Sequence, residues 1–237
     1  MKKFRFAILG AGHIARQFCD AVSRIDGCEV CAVASKSLAR AENFAKENGV
    51  ESYYDDYEML LEKERPDCAY IAVTTNDHYR LSVLCVNHSV PVLCEKAMFQ
   101  NSEEANNLYT LASEKKIFVM EALWSRYLPA VQQAKRWVEQ EKIGTPTVLQ
   151  CNIGFVAPDD KENRYFNPKL GGGAANDITV YAYEITTFIL NQAIKNISVS
   201  ATWSDTGVDV TDHVAICFED TFADLLTSFV AQLEEQM

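Results

Sequence analysis

The chain contains no unbroken apolar run approaching the ~20 residues that cross a bilayer, so a membrane-spanning helix is not expected. Its opening, MKKFRFAILGAGHI, is basic and then apolar, but Gly10 and Gly12 interrupt it before a signal-peptide core forms. That segment is better explained as a first β-strand. Positive charge is also in short supply. Lys and Arg number 22 against 33 Asp and Glu, giving a formal net charge of -11 and a pI near 4.9. Phosphate backbones are bound by clustered cations, so nucleic acid is not an expected partner, nor is a membrane surface. A cysteine framework is missing as well. The eight cysteines, at 19, 28, 31, 68, 85, 94, 151 and 217, lie mostly inside apolar runs, where a free thiol behaves as a small hydrophobe. This usage suits a reducing cytoplasm. Cys28 and Cys31 have CxxC spacing, but no second pair follows and CEVCAVA reads as a strand, so no metal site is expected. Internal repeats, low-complexity tracts and long linkers are not visible.

What is present is material for a large core: 237 residues, 48% of them hydrophobic and 23% charged. From residue 4 to about 122, short apolar runs alternate with helical periodicity. The runs are FRFAILG, EVCAVA, CAYIAV, VPVLC and IFVMEA. Between them, Ile14, Phe18, Ala21, Val22 and Ile25 share one helical spacing, as do Leu38, Ala41 and Phe44, the stretch from Leu81 to Val86, and Ala105, Leu108 and Leu111. Continuous apolar strands with intervening helices predict a parallel sheet covered on both faces, a doubly wound domain over residues 1–122. Past Trp124 the pattern changes. A helix around Val131, Ala134 and Val138 precedes strands of strict alternation. Leu149, Cys151, Ile153 and Phe155 face one way, and Ile197, Val199, Ala201 and Trp203 alternate with Ser198, Ser200 and Thr202. This predicts a second, α+β domain over residues 123–237, with an open, mostly antiparallel sheet that has one wet face.

Gly10-Ala11-Gly12-His13-Ile14-Ala15 is a GxGxxA turn directly after a predicted strand and at the start of a predicted helix. Glycine there permits a tight turn and lets backbone N–H groups approach a pyrophosphate at the helix N-terminus. A plain strand-to-helix turn is the bland alternative. NAD enzymes commonly place a carboxylate at the end of the second strand to read the ribose 2′-hydroxyl. Here Ser35 and Lys36 stand in its place, with Arg40 close behind, and could receive a 2′-phosphate. NADP is therefore favoured over NAD, against the alternative that Lys36 and Arg40 form a solvated face. Lys96 follows VPVLC, just past a parallel strand, where doubly wound sheets bind ligands. Gly171-Gly172-Gly173 introduces a helix on which Asp177 and Tyr181, four residues apart, should share a face.

In order, GAGHIA, TTNDHY, LCEKA, EALWSRYLP and RYFNPKLGGGAANDITVY resemble the landmarks of the Gfo/Idh/MocA oxidoreductases over essentially the whole chain. WSRYLP and a tyrosine at position 181 are similar to the dihydrodiol dehydrogenase or xylose dehydrogenase-like branch in particular. The resemblance implies a Rossmann domain followed by a substrate-binding and dimerisation domain. It makes Lys96 and Tyr181 catalytic, with Asp177 positioning substrate or supporting them. It puts Thr74, Asn76, His78 and Glu95 along the nicotinamide side of a cofactor held by Gly10, Gly12, His13 and Ile14. Trp124 and Arg126 would contact that cofactor or close the cleft, and Phe155 with the wet sheet face would help wall the substrate. A homo-oligomer through the C-terminal sheet is also implied.

The implied chemistry is hydride transfer between a nicotinamide and a sugar, cyclitol or diol-type secondary alcohol or its carbonyl. A tyrosine with a reference pKa of about 10 must be tuned by ~3 units, about 4 kcal/mol, to accept the alcohol proton. An ammonium ~4 Å away at an effective dielectric of ~20 is of that size. Three features depart from the family pattern: Ala97 where proline is usual, Thr179 where glycine is common, and an end at Met237 soon after the strand-like FADLLTSFVAQ. The last leads us to expect a C-terminally incomplete sheet, weak or no activity, and self-association through an unpaired edge. Two competing readings remain: a catalytically silent dinucleotide-binding or regulatory protein, and an interaction module.

Overall fold

A computed structural model describes residues 2–234 and divides the chain into two compact units, residues 1–122 and 123–237. The first unit is built on a parallel six-stranded sheet of order β3-β2-β1-β4-β5-β6. Its strands are β1 (Phe4–Leu9), β2 (Cys28–Ala34), β3 (Ser52–Tyr54), β4 (Cys68–Ile71), β5 (Val92–Cys94) and β6 (Val119–Glu121). The helices between them are α1 (His13–Ser23), α2 (Leu38–Asn48), α3 (Tyr57–Glu64), α4 (His78–Asn87) and α5 (Ser102–Lys115).

Successive strand residues point to opposite faces, and the packing follows that rule. Ile8 joins Ala15, Cys19, Val33 and Phe44 in one core with α1 and α2. Ala7 and Leu9 join Leu60, Leu81, Cys85 and Leu108 in another with α3, α4 and α5. Both faces are thus sealed, as the unbroken apolar runs require. The short pair β3 and α3 carries no such run and was not legible in the periodicity; Asp56 caps α3 by accepting from the Met59 N–H at 2.8 Å. Helix α1 ends at Ser23, so Ile25 falls outside it and is 55% exposed, contrary to the helical spacing that included it.

Because β1 lies between β2 and β4, the chain reverses its direction of winding at β1, and the loops after all strands open on one carboxyl edge. Backbone bonds tie those loops side by side. Gly10 N donates to Ala34 O at 2.8 Å, Ala72 N to Leu9 O at 2.8 Å, Glu95 N to Ile71 O at 2.9 Å and Ala122 N to Cys94 O at 2.7 Å.

The second unit has a mixed sheet of order β7-β10-β9-β8, formed by β7 (Val148–Gly154), β8 (Asn196–Trp203), β9 (Asp209–Cys217) and β10 (Phe222–Ser228). Strand β10 pairs with β7 in parallel and with β9 antiparallel, and β8 pairs with β9 antiparallel. The parallel pair is a detail that alternation alone does not reveal. Helices α6 (Pro129–Glu139) and α7 (Val180–Leu190) supply the core: Ala182 and Leu190 pack on Cys151, Val214, Ile216 and Leu225, and Val131 packs on Ile185 and Ile189. The expectation of one buried face fails at edge strand β8. The α7 core reaches β7, β10 and β9 only, leaving Ile197, Val199 and Trp203 at 43%, 62% and 66% exposure.

Candidate functional site

At the glycine turn two glycines have different reasons to be glycine. Gly10 has φ +114°, and a Cβ there would stand 2.5 Å from the Ala72 carbonyl oxygen, so the close approach of β1 and β4 demands it. At Gly12 a Cβ would meet only Ala72 O at 3.8 Å. Packing does not require that glycine. Gly12 is the N-cap of α1 with no side-chain hydrogen bond, and the first turn has no acidic residue. An uncapped helix start with its positive dipole end uncompensated by a carboxylate is of the kind that receives a pyrophosphate. A groove of about 360 Å³ adjoins the turn between α1 and α2, lined by Ala11, Arg16, Arg40 and Asn43 among others. His13 is exposed and meets Gln17, and Ile14 packs against the core under the turn.

The three ribose-reading candidates separate. Ser35 is buried at 5% exposure, Arg40 lines the groove, and Lys36, 68% exposed, is anchored by a carboxylate. The Lys36 ammonium donates to Asp77 Oδ2 at 2.6 Å, while Arg80 Nε donates to Asp77 Oδ1 at 3.1 Å. Burial pushes the Asp77 pKa up, but the hydrogen bonds and charges of Lys36 and Arg80 prevail and leave it below the ordinary value.

Farther along the edge, Thr74 Oγ1 donates to Asn76 Oδ1 at 2.7 Å. His78 is 1% exposed, with Nδ1 2.8 Å from Ala97 O and Nε2 3.1 Å from Val73 O. Burial lowers its pKa against the effect of both carbonyls. The ring thus braces the backbone just after Lys96, where the Lys96–Ala97 peptide is cis. Glu95 accepts from the Tyr70 hydroxyl at 2.5 Å, and its pKa is raised by burial despite Tyr70 and Lys96. Glu121 accepts from the Met98 N–H at 2.8 Å, fixing the far side of the Lys96 loop.

In the second unit the helix that carries the tyrosine opens with a π-helical turn, Ala175–Thr179, and continues as α7. Asp177 lies within that π turn and Tyr181 at the start of the α-helical part that follows. Asp177 pairs with Arg164 at 2.9 Å. The Tyr181 hydroxyl accepts from the Trp124 indole N–H at 2.8 Å, with the rings edge to face. Arg126 pairs with buried Glu184, which also accepts from the Ser125 hydroxyl at 2.7 Å. Phe155 packs with Tyr165 and Phe229. Thr179, which stands where the family commonly has glycine, is buried in this unit, with its hydroxyl 2.7 Å from Asp212 Oδ2 and 2.6 Å from Thr227 Oγ1. The glycine run before it makes room for protein: a Cβ at Gly172 would lie 2.8 Å from Tyr165 O, and Gly173 at φ +117° abuts the Asp209 carboxylate.

Residues 4–123 match an oxidoreductase family with an NAD-binding Rossmann fold, and residues 131–237 match the GFO/IDH/MocA C-terminal domain. The chain belongs to the Gfo/Idh/MocA oxidoreductase family. Trans-1,2-dihydrobenzene-1,2-diol dehydrogenase of Mus musculus is 32% identical over 215 residues, covering 90% of this chain and 64% of that protein. The enzyme of the same name from Danio rerio is 30% identical over 217 residues, with the same two coverages of 90% and 64%. An oxidoreductase of known structure from Thermotoga maritima superposes with a TM-score of 0.88 at 26% identity, covering 99% of this chain and 75% of its own. The chain spans 64% of the length of the two curated relatives.

Within this Gfo/Idh/MocA chain, Gly10, Gly12, Ser35, Lys36, Thr74, Asn76, His78, Glu95 and Lys96 all lie on the carboxyl edge of the first unit. Trp124 and Tyr181 meet in the second. Sequence reasoning passed over Asp77, Tyr70 and Glu184, each a partner of a residue it did single out. Asp77 was visible inside TTNDHY, but its pairing across 41 residues was not.

Proposed function

We propose that this family member transfers a hydride between a nicotinamide cofactor, NADP in preference to NAD, and a sugar, cyclitol or diol-type secondary alcohol or its carbonyl. The observation that carries the reading is the position of Lys96 on the same carboxyl edge as the uncapped, sterically open start of α1. The first unit is the dinucleotide-binding domain in this reading, and the second serves substrate binding and dimerisation. Gly10, Gly12, His13 and Ile14 present the helix start to the pyrophosphate, and Ser35, Lys36 and Arg40 receive the 2′-phosphate. Thr74, Asn76, His78 and Glu95 line the nicotinamide side, where the cofactor supplies the hydride acceptor or donor.

Tyr181 Oη takes the alcohol proton in oxidation and returns it in reduction. Lys96 polarises the carbonyl oxygen by its charge. The Trp124 indole N–H, already on Tyr181 Oη, favours the ionised phenol and fixes the ring. Asp177, with Arg164 beside it, orients substrate; Phe155 contributes an apolar wall; Arg126 on Glu184 steadies the segment that bears Trp124. The relatives named as dihydrodiol dehydrogenases support the substrate class.

Eight free thiols suit a reducing compartment, and the cytoplasm is the proposed location. No helix among the described residues is long and apolar enough to cross a membrane. Self-association through the second-unit sheet is proposed as well, and sedimentation at several concentrations tests it. The decisive experiment is turnover of NADPH and NADP against a panel of carbonyls and polyols, beside a fluorescence titration of cofactor binding. Turnover with a polyol or its ketone is expected. Cofactor binding without turnover of any panel member would instead support a binding or regulatory protein.

A further inference from the structure

The second strand ends without the carboxylate that reads a ribose, yet one is brought to its lysine by the segment after β4. Asp77 closes the 3-10 turn Thr75–Asp77 after β4, and its side chain is 12% exposed. One oxygen holds Lys36 at 2.6 Å and the other holds Arg80 at 3.1 Å. The two cations outnumber the carboxylate, so the cluster keeps a net positive charge at the mouth of the edge. Lys36 is 68% exposed, and only one of its three ammonium donors is spent on Asp77. A lysine at the end of a strand ordinarily sweeps many rotamers and loses that freedom when it grips an anion. Here the buried carboxylate has already removed much of it.

We propose that Asp77 is a positioning residue for cofactor choice, holding the Lys36 ammonium where a ribose 2′-phosphate arrives. This rests on the NADP reading above and adds to it the residue that makes Lys36 effective. It also makes a claim of sign. A carboxylate near a phosphate would ordinarily repel it, but one neutralised by two cations and buried beneath them acts through the lysine.

The test is a double-mutant cycle on the full chain, with ADP and 2′,5′-ADP as probes, measured by calorimetry in wild type, Lys36→Met, Asp77→Asn and the double variant. Wild type is expected to bind 2′,5′-ADP more tightly than ADP. Asp77→Asn is expected to weaken 2′,5′-ADP about tenfold, the scale of one charge-assisted hydrogen bond, while ADP changes less than about twofold. In the Lys36→Met background the same substitution should do almost nothing further. Tighter 2′,5′-ADP binding by Asp77→Asn, equal loss of both probes, or full additivity with Lys36→Met overturns the proposal while leaving the NADP reading in place. Equal wild-type affinities for the two probes, or binding of neither, removes the NADP reading and the proposal together. Should Asp77→Asn fail to fold, Asp77→Glu moves the carboxylate by one methylene and is expected to give the same selective loss.

Discussion

The two units place glycine and buried aspartate in opposite situations. In the first, Gly12 has open space where a side chain would go; in the second, Gly172 and Gly173 are hemmed in by Tyr165 O and Asp209. In the first, Asp77 lies under two cations and is held ionised; in the second, Asp212 faces the Thr179 hydroxyl and the Asp209 carboxylate. Burial, reinforced by Asp209 and opposed by Thr179, pushes the Asp212 pKa up to about 6. The same residue type thus marks an outward-facing, charge-ready edge in one unit and a closed interior in the other. A glycine or carboxylate points to a ligand only when the protein around it leaves the need unexplained.

The sharpest break in that comparison concerns the two residues proposed as catalytic, Lys96 in the first unit and Tyr181 in the second. Lys96→Met and Tyr181→Phe are each expected to lower kcat by ~10²- to 10⁴-fold, with cofactor affinity within about threefold of wild type. Stopped-flow and steady-state kinetics read both quantities. Unchanged turnover in either variant removes that residue from the chemistry and assigns the reaction to one unit alone.

The glycines come next. Gly173→Ala is expected to destabilise the second unit by about 2–4 kcal/mol, since it adds both a strained φ and a clash with Asp209. Gly12→Ala should cost within ~1 kcal/mol of stability, a capping difference, yet weaken dinucleotide binding by at least about tenfold. Denaturant titration and cofactor titration on both variants decide it; a Gly12→Ala protein that binds normally would falsify the idea that this glycine serves the ligand.

The aspartates differ in the direction of their pH dependence. Asp212 has a folded pKa near 6 against about 4 when unfolded, so between those values the folded state keeps a proton that the unfolded state releases. Its contribution therefore falls as pH rises from about 4 to 6, by roughly 2–3 kcal/mol, and Asp212→Asn should flatten that slope. Asp77 has the reverse sign. Its pKa is depressed, so its contribution is present above the ordinary carboxylate value and is lost as pH falls through the folded one. Melting curves from pH 3 to 7 on Asp212→Asn and Asp77→Asn should diverge in opposite senses.

The smallest effect belongs to Trp124. Trp124→Phe keeps an aromatic ring edge-on to Tyr181 but removes the N–H donor, and about a tenfold fall in kcat is expected with cofactor affinity unchanged. A KM effect without a kcat effect would move Trp124 to substrate contact instead.

Much of the fold was legible along the chain because its causes are local. Unbroken runs such as CAYIAV announced strands buried on both faces, and the alternation in LQCNIG announced a sheet with two unlike faces. The glycine turn was legible for the same reason, since strand, turn and helix are adjacent in sequence. Strand β8 misled because alternation records which side of a strand is apolar but not whether anything covers it. The π turn Ala175–Thr179 that opens the helix was not legible, because the periodicity of a short segment does not distinguish one π turn from an α turn.

The sequence by itself determined the doubly wound unit, the position of its phosphate-ready turn and the residue types available for hydride chemistry, because periodicity and turn chemistry act over a few residues. Only the tertiary structure decided what those residues touch. Lys36 meets Asp77 across 41 positions and Trp124 meets Tyr181 across 57. Hydrogen bonds and ion pairs act over ångströms of space, and separation along the chain has no bearing on them.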